Sequence, residues 1–372
     1  MGNSLARKYN KKALGLLITI FLLIVLATLF FIFKNDVLRF FKADVIAKDA
    51  GEVKKIAIST GSQVFAENGF IYIFEDTGVS IYKGKGEFQR SYLLPYNDLQ
   101  MTASSFGLIA YDKGTKNFTL FREGKKVNDF EAKTPIIHLL AFEKSIMILA
   151  KGEKGYAGAV YLISDLGNVL TEDNYKNNIQ YVSKYPVYGD VSASGKNFLV
   201  LCLDLEDMDK TYTELFEVGK SAPIAATVFD EFLPKGLLFN NNVFAMAGSD
   251  GLVFVDQSME KNRVLSHVLV DYIQKIDKDL FVYSKDEKDN YIICINGEGQ
   301  EEWKKKVESD LGGMITFENK VLTWKNREIN IYKNKGAFFH TIETDSNIQN
   351  IIFLGNNRLL IVTSDNIVIY KY

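Results

Sequence analysis

From about residue 53 onward the chain repeats one phrase eight times: an apolar run, a polar turn, a stronger apolar run, a Gly/Asp turn, and a third run ending in an aromatic or aliphatic residue. The strong runs begin at Phe70, Leu108, Ile146, Phe198, Val243, Leu280, Val321 and Leu359. Successive starts lie 37 to 52 residues apart, with a mean of about 41. Helical periodicity is almost absent, so the runs read as strands. A unit this short cannot bury its apolar faces alone and has to stack on copies of itself; a period near 41 is that of a β-propeller blade. The expected fold is all-β, an eight-bladed β-propeller, with seven blades as the alternative count. A composition that is 47% apolar and 13% aromatic, with only 5 Pro and 2 Cys, excludes disorder, collagen and a disulfide-stapled miniprotein.

Within each unit the turns have a physical reading. Glu75-Asp76-Thr77-Gly78 before Val79, Ser249-Asp250-Gly251 before Leu252 and Ser364-Asp365-Asn366 before Ile367 are expected to supply positive φ at hairpin tips. An inner strand should precede each hairpin, as in Met101-Thr102-Ala103, Ile137 to Leu140, Gly236 to Phe239, Met314 to Phe317 and Ile351 to Leu354. An outer strand should follow, as in Phe88 to Leu94 and Ala337 to Ile342. The chain stops at Tyr372, after the third strand of the eighth unit, while Lys54 to Ser59 form a strand with no unit of their own. Pairing the two would close the ring and remove its open edges.

The phrase Tyr291-Ile292-Ile293-Cys294-Ile295-Asn296-Gly297-Glu298-Gly299-Gln300-Glu301-Glu302-Trp303-Lys304 resembles the strand, Asn-x-x-Gly turn and tryptophan of the quinoprotein-type (PQQ-like) repeat, and more loosely the WD repeat. Gly158 to Leu170, with Ser164-Asp165-Leu166-Gly167-Asn168, and Ile331 to Gly336 are weaker copies. The resemblance covers residues 54–372, and only Trp303 keeps the blade-docking tryptophan; Trp324 lies in a different strand. The layout of one N-terminal helix and one degenerate propeller is also similar to an uncharacterised family of membrane-anchored Gram-positive proteins carrying a domain of unknown function, which implies no activity.

Ahead of the repeats, residues 13–33 hold no charge, and 16 of these 21 are Leu, Ile, Val or Phe. At about 1.5 Å per residue they span about 31 Å, which matches the ~30 Å hydrocarbon core. The run is too long for a signal peptide and ends Leu29-Phe30-Phe31-Ile32-Phe33 rather than in a small-residue cleavage site. Arg7, Lys8, Lys11 and Lys12 precede it without an acid, which orients the N-terminus to the cytoplasm. The expected organisation is a cytoplasmic tail (1–12), a transmembrane helix (13–33), a juxtamembrane linker (34–52) and an extracytoplasmic propeller (53–372).

Candidate chemistry is sparse. His138, His267 and His340 fall in separate repeats without metal-ligand spacing and read as structural or surface groups. Cys202 and Cys294 read as two buried thiols, too remote in the ring to pair. No Gly-rich phosphate loop opens a helix, and no Ser/His/Asp arrangement is legible. A quinoprotein enzyme would need a cofactor-stacking Trp and a calcium site on the channel face, and neither can be located. The expectation is no catalytic residue, no cofactor and no metal. Asp204, Asp207 and Asp209 in an expanded acidic turn could offer oxygens to Ca²⁺ but lack the glycine and terminal acid of an EF-hand loop. Two long connections stand out: 174–189, with Tyr175, Tyr181, Tyr185 and Tyr188, and 230–234, with Phe232. Blade topology puts both on the face of the acidic turn, making that face the candidate recognition surface; tyrosines folded back over an irregular blade are the competing reading. A net charge of −2 gives no drive toward nucleic acid. The functional expectation is a non-enzymatic, membrane-anchored scaffold in the bacterial cell envelope that binds an envelope protein, with a glycan or small-ligand receptor at the channel mouth as the alternative.

Overall fold

The structure, a computed structural model, describes residues 51–372 apart from 76, 165, 168, 239–242, 249, 257–259, 277, 287, 308–309 and 356. The expected tail, membrane span and nearly all of the linker lie outside the described residues, as do Asp76, Asp165, Asn168, Phe239 and Ser249 of the strands and turns read above. Among the described residues no helix is long and apolar enough to cross a membrane.

Among the described residues thirty-two strands form eight sheets of four, each in the order inner, second, third, outer. Blade 1 runs from Gln63–Glu67 to Phe88–Leu93, and blade 7 from Gly313–Phe317 to Phe338–Glu343. The eighth blade takes its first three strands from the C-terminal end of the propeller (Ile348–Gly355, Arg358–Thr363, Asn366–Lys371) and its outer strand, Gly51–Ala57, from the start. Ile58 N–H donates to the Asp365 carbonyl (3.0 Å) just beyond that pairing. The count of eight and the closure both follow the sequence reading, and each observed second strand begins within one residue of its expected start.

The second and third strands are buried on both faces because each blade is sandwiched between two others. Buried apolar clusters therefore straddle neighbouring blades: Met147, Leu149 and Tyr181 of blade 3 meet Phe198, Val200 and Phe216 of blade 4. The Phe198 and Phe216 rings stack there at 5.1 Å. Around the channel the inner strands are tied by side chains to backbone. Ala141 N–H donates to Thr102 Oγ1 (3.1 Å), Leu238 N–H to Asp190 Oδ2 (2.6 Å) and Lys275 Nζ to the Leu238 carbonyl (2.8 Å).

At the rim, Trp303 behaves as the repeat resemblance implies. Its Nε1–H donates to the Asn334 carbonyl (2.7 Å) of the next blade, and its ring covers Gly336, where a Cβ would stand 2.8 Å from it. Other blades dock by different groups at the same place. Asn177 donates to the Lys220 carbonyl (2.6 Å) and accepts from Gly219 N–H (2.9 Å). Arg122 donates to the Leu166 carbonyl (3.1 Å).

Two expectations are corrected. Of the glycines at the hairpin tips between second and third strands, Gly251 has positive φ (130°) but Gly78 does not. Gly78 is required for space, since a Cβ would lie 2.6 Å from the Tyr92 carbonyl oxygen. Gly114, Gly155 and Asn326 have positive φ in other turns between second and third strands, and positive φ also occurs at turns on the opposite face, such as Asn68-Gly69 and Glu123-Gly124. The segment 174–189 is also no long link: it is the outer strand Tyr175–Tyr181 of blade 3 and the inner strand Lys184–Val191 of blade 4. The extra length lies earlier, in an excursion between Gly158–Ser164 and Tyr175 that contains a short 3-10 turn, Glu172–Asn174.

Closure predicts an asymmetric mutational response on one strand. Ile56 is buried against Ile71, Ile367 and Ile369, whereas Val53 is exposed. Ile56→Asp should cost about 3 kcal/mol or more in urea unfolding, and Val53→Asp no more than about 0.5 kcal/mol. Equal midpoints for the two variants would show that the terminal strand carries no stability.

Candidate functional site

Links between blades and the turns joining second to third strands emerge on one face of the ring. On that face, blades 3 to 5 bring together five large apolar side chains with nothing over them: Tyr156, Val182, Leu205, Met208 and Phe232, each 44 to 72% exposed. Backbone bonds hold their turns side by side. Ala157 N–H, next to Tyr156, donates to the Tyr181 carbonyl (2.8 Å), next to Val182. Leu205 N–H donates to the Ser183 carbonyl (3.0 Å). Thr211, just after the turn bearing Met208, donates through Oγ1 to the Glu231 carbonyl (2.9 Å) and accepts from Leu233 N–H (2.9 Å), bracketing Phe232. Isolated exposed apolar residues are ordinary, but a bonded run of turns carrying five is a contiguous patch.

The rim of this patch is acidic. Lys210 is taken by Asp207 (2.8 Å) and Lys184 by Glu214 (2.7 Å), while Arg263 pairs with Glu231 and Asp250. Among the described residues Glu153, Asp204, Glu206, Asp209 and Asp230 make no salt bridge, and Lys151, Lys154 and Lys235 are the cations at these turns without one. The hydrogen bond from Lys210 holds the Asp207 carboxyl below its ordinary range. Asp204 Oδ1 accepts from Glu206 N–H (2.9 Å), and Asp207 Oδ2 holds Lys210. Among the described residues no group of three His, Cys, Asp or Glu is placed to hold a metal.

The sequence-selected tyrosines divide. Tyr181, 7% exposed, is core: its hydroxyl donates to Glu214 Oε2 (2.9 Å), and burial beside that carboxylate drives its pKa far up. Tyr175 packs edge-on to Tyr161 under the Lys133 ammonium (4.3 Å), pushed up to about 12 mainly by burial. Tyr185 and Tyr188 belong to an inner strand, and burial beside Asp190 raises Tyr188 to about 12. Phe232 and the acidic turn lie on the patch. Tyr156, Val182, Leu205 and Met208 were missed, because isolated apolar residues in polar turns carry no signal until neighbouring turns are juxtaposed.

On the opposite face the channel opens into a cavity of about 630 Å³ lined by Tyr188, Asp190, Lys144, Gln274 and Lys275. Burial raises Asp190 to about 6, partly offset by the Leu238 and Val191 N–H groups and by Lys275. His138, beside it in the ring, bonds Tyr111 Oη through Nδ1 (2.8 Å), and burial lowers its pKa. His267 is exposed, and Cys202 and Cys294 are buried free thiols.

The profile of the DUF5711 family of unknown function matches residues 47–371. The chain belongs to that family. No curated protein matches it. Among solved structures it is similar to Sqt1 from Saccharomyces cerevisiae (TM-score 0.62, 10% identity, covering 86% of this chain and 99% of that one). It is also similar to BamB from Moraxella catarrhalis (0.56, 11%, 87% and 100%) and to apo AztD from Citrobacter koseri (0.53, 12%, 81% and 91%). At these identities the likeness is one of fold.

Two outcomes test this geometry. Tyr181→Phe should cost about 1 to 2 kcal/mol by leaving a buried Glu214 oxygen unpaired, measured by denaturant unfolding; no loss would return Tyr181 to the surface. Asp190 binds its proton more tightly in the fold than in the unfolded chain, so its contribution to stability is complete below about pH 4 and is lost as pH rises through about 6. Asp190→Asn should flatten the dependence of melting temperature on pH between those values, and an unchanged slope would assign it to another group.

Proposed function

We propose that this protein is a non-enzymatic, membrane-anchored scaffold of the bacterial cell envelope, binding a protein partner on the link face of blades 3 to 5. The observation that carries this reading is the contiguous apolar patch. Fully covering a Val, Leu, Met or Phe side chain is worth about 1.5 to 3 kcal/mol, so five together form a core able to anchor an interface. The acidic rim selects a partner whose own apolar residues are ringed by Lys and Arg, because like charges would face each other otherwise. Residues 13–33 supply the anchor in this reading, and the charge asymmetry around them supports an outward-facing propeller. The channel cavity, with Asp190 and Lys275 on its wall, supports a second reading as a small-ligand receptor.

The test is the triple variant Val182→Ser, Met208→Ser and Phe232→Ser, with full-length protein crosslinked in the source cell. Capture of a defined envelope protein should fall at least tenfold while the melting temperature stays within about 2 °C, since exposed substitutions each change stability by about 0.5 kcal/mol or less. Undiminished capture would overturn the assignment of the face.

A further inference from the structure

Three adjacent blades end their third strands in the same residues: Ile331-Tyr332-Lys333 in blade 7, Ile369-Tyr370-Lys371 in blade 8 and Ile81-Tyr82-Lys83 in blade 1. In blades 7 and 1 the likeness runs on through the next turn, Lys333-Asn334-Lys335-Gly336-Ala337-Phe338 against Lys83-Gly84-Lys85-Gly86-Glu87-Phe88. The corresponding turns of blades 5 and 6 carry Asp256, Glu260 and Glu298 instead. Packing accounts for part of this shared phrase. The isoleucines are buried, and Gly86 and Gly336 have φ of 80° and 78°. Both turns are pinned at the same carbonyl by the preceding blade, Gly84 by Arg358 Nη1 (3.2 Å) and Asn334 by Trp303 Nε1 (2.7 Å). Tyr82 meets Phe88 edge-on at 5.5 Å, and Tyr332 meets Phe338 in the same way at 6.0 Å. Packing does not account for what stands outside. Phe88 and Phe338 are 56% and 54% exposed, and Lys83, Lys85 and Lys335 are exposed beside them. Between the two phenylalanines, Val53 in the outer strand of blade 8 is also exposed.

This arc lies on the face opposite the links, and the chain enters the ring there. Gly51 opens the outer strand of blade 8 at that face, because the strand's far end, at Ala57, leads Ile58 to the Asp365 carbonyl at a link-face tip. In the proposed reading the 17 residues 34–50 join the span to Gly51, a tether of at most about 60 Å that ends in the middle of the arc. The charge there is positive on balance. Lys54, Lys371 and Arg358 add to the turn lysines, and Lys54 lays its stem over Gly86. Against them, Glu52 and Glu87 are exposed, Glu318 faces Lys320 at 3.8 Å, and Glu67 is buried on the Tyr72 hydroxyl (2.9 Å). Phenylalanine beside lysine suits the boundary of an anionic bilayer, where the ring enters the acyl edge and the ammonium stays with the headgroups. One element repeated on neighbouring blades also matches a partner that is itself a repeating array, as a lipid surface is. We infer that the entry face of blades 7, 8 and 1 rests on an anionic lipid surface, with Phe88 and Phe338 at the acyl edge and Lys83, Lys85 and Lys335 on the headgroups. The inference rests on the membrane anchor of the proposed function and not on the link-face patch, which it leaves turned away from the bilayer.

The experiment places full-length protein in nanodiscs of phosphatidylglycerol or of phosphatidylcholine, each containing a lipid with a nitroxide near its headgroup. A fluorophore is attached through Glu87→Cys, Ala337→Cys or, on the link face, Asp230→Cys; Cys202 and Cys294 are buried and stay unlabelled. In phosphatidylglycerol, quenching by the lipid nitroxide should be about fivefold stronger at the first two positions than at the third. It should fall to the link-face level in phosphatidylcholine, with Lys85→Glu and Lys335→Glu together, and with Phe88→Ser and Phe338→Ser together. Salt raised to about 0.5 M should weaken it without any substitution, since exposed charges are then screened within a few ångströms. Protein retained in the discs with all three labels quenched alike, or equally in both lipids, would overturn the proposal and leave the anchor standing. Protein that stays with neither kind of disc would overturn the anchor and this orientation with it. Shielding of the Glu87→Cys label from iodide by poly-L-glutamate, without quenching by lipid, would overturn the proposal in favour of an acidic polymer.

Discussion

Every blade of this ring depends on one pairing made between residues more than three hundred positions apart. Without Gly51–Ala57 alongside Asn366–Lys371, blade 8 is a three-stranded sheet with an open edge, and the cluster that joins it to blade 1 loses Ile56. Each blade is a two-sided sheet that must be covered on both sides, so an uncovered blade exposes its second and third strands to water. Closure turns eight marginal sheets into one object, because the last apolar face is covered by the first.

Docking at the rim shows why the repeat looks degenerate. Trp303, Asn177 and Arg122 each reach toward the turn between third and outer strands of the following blade, where carbonyl groups point outward and need donors. An indole, an amide and a guanidinium all supply an N–H there, so the position constrains chemistry and not residue type. Only the tryptophan is recognisable as a repeat signature. Its partner Gly336 is fixed more tightly, since it has positive φ and also accepts an aromatic ring in contact.

The faces of the ring carry its individuality. Strand interiors are held to apolar residues by burial, whereas the link turns are free to vary, and on blades 3 to 5 they collect apolar side chains above an acidic rim. The junction of blades 6 and 7 has the opposite character, a polar cleft lined by Lys325, Arg327, Glu328 and Glu343. One ring therefore presents two chemically distinct surfaces, one suited to exclude water from an interface and one suited to exchange hydrogen bonds.

The period of the apolar runs was enough to read the blade count, the inner and second strands and the closing strand, because strand alternation and turn chemistry are local. The tyrosines were left between two readings for the complementary reason. Tyr181 and Val182 are adjacent in the chain, yet one is sealed onto Glu214 and the other stands in solvent, and only the register of Tyr175–Tyr181 against Gly158–Ser164 decides which. By itself the sequence determined the all-β class, the eightfold repetition and the expectation of a membrane anchor, all carried by residue spacing along the chain. Tertiary structure alone decided which turn residues form a patch and which tyrosine hydroxyl is sealed onto a carboxylate, because these depend on groups brought together from separate blades.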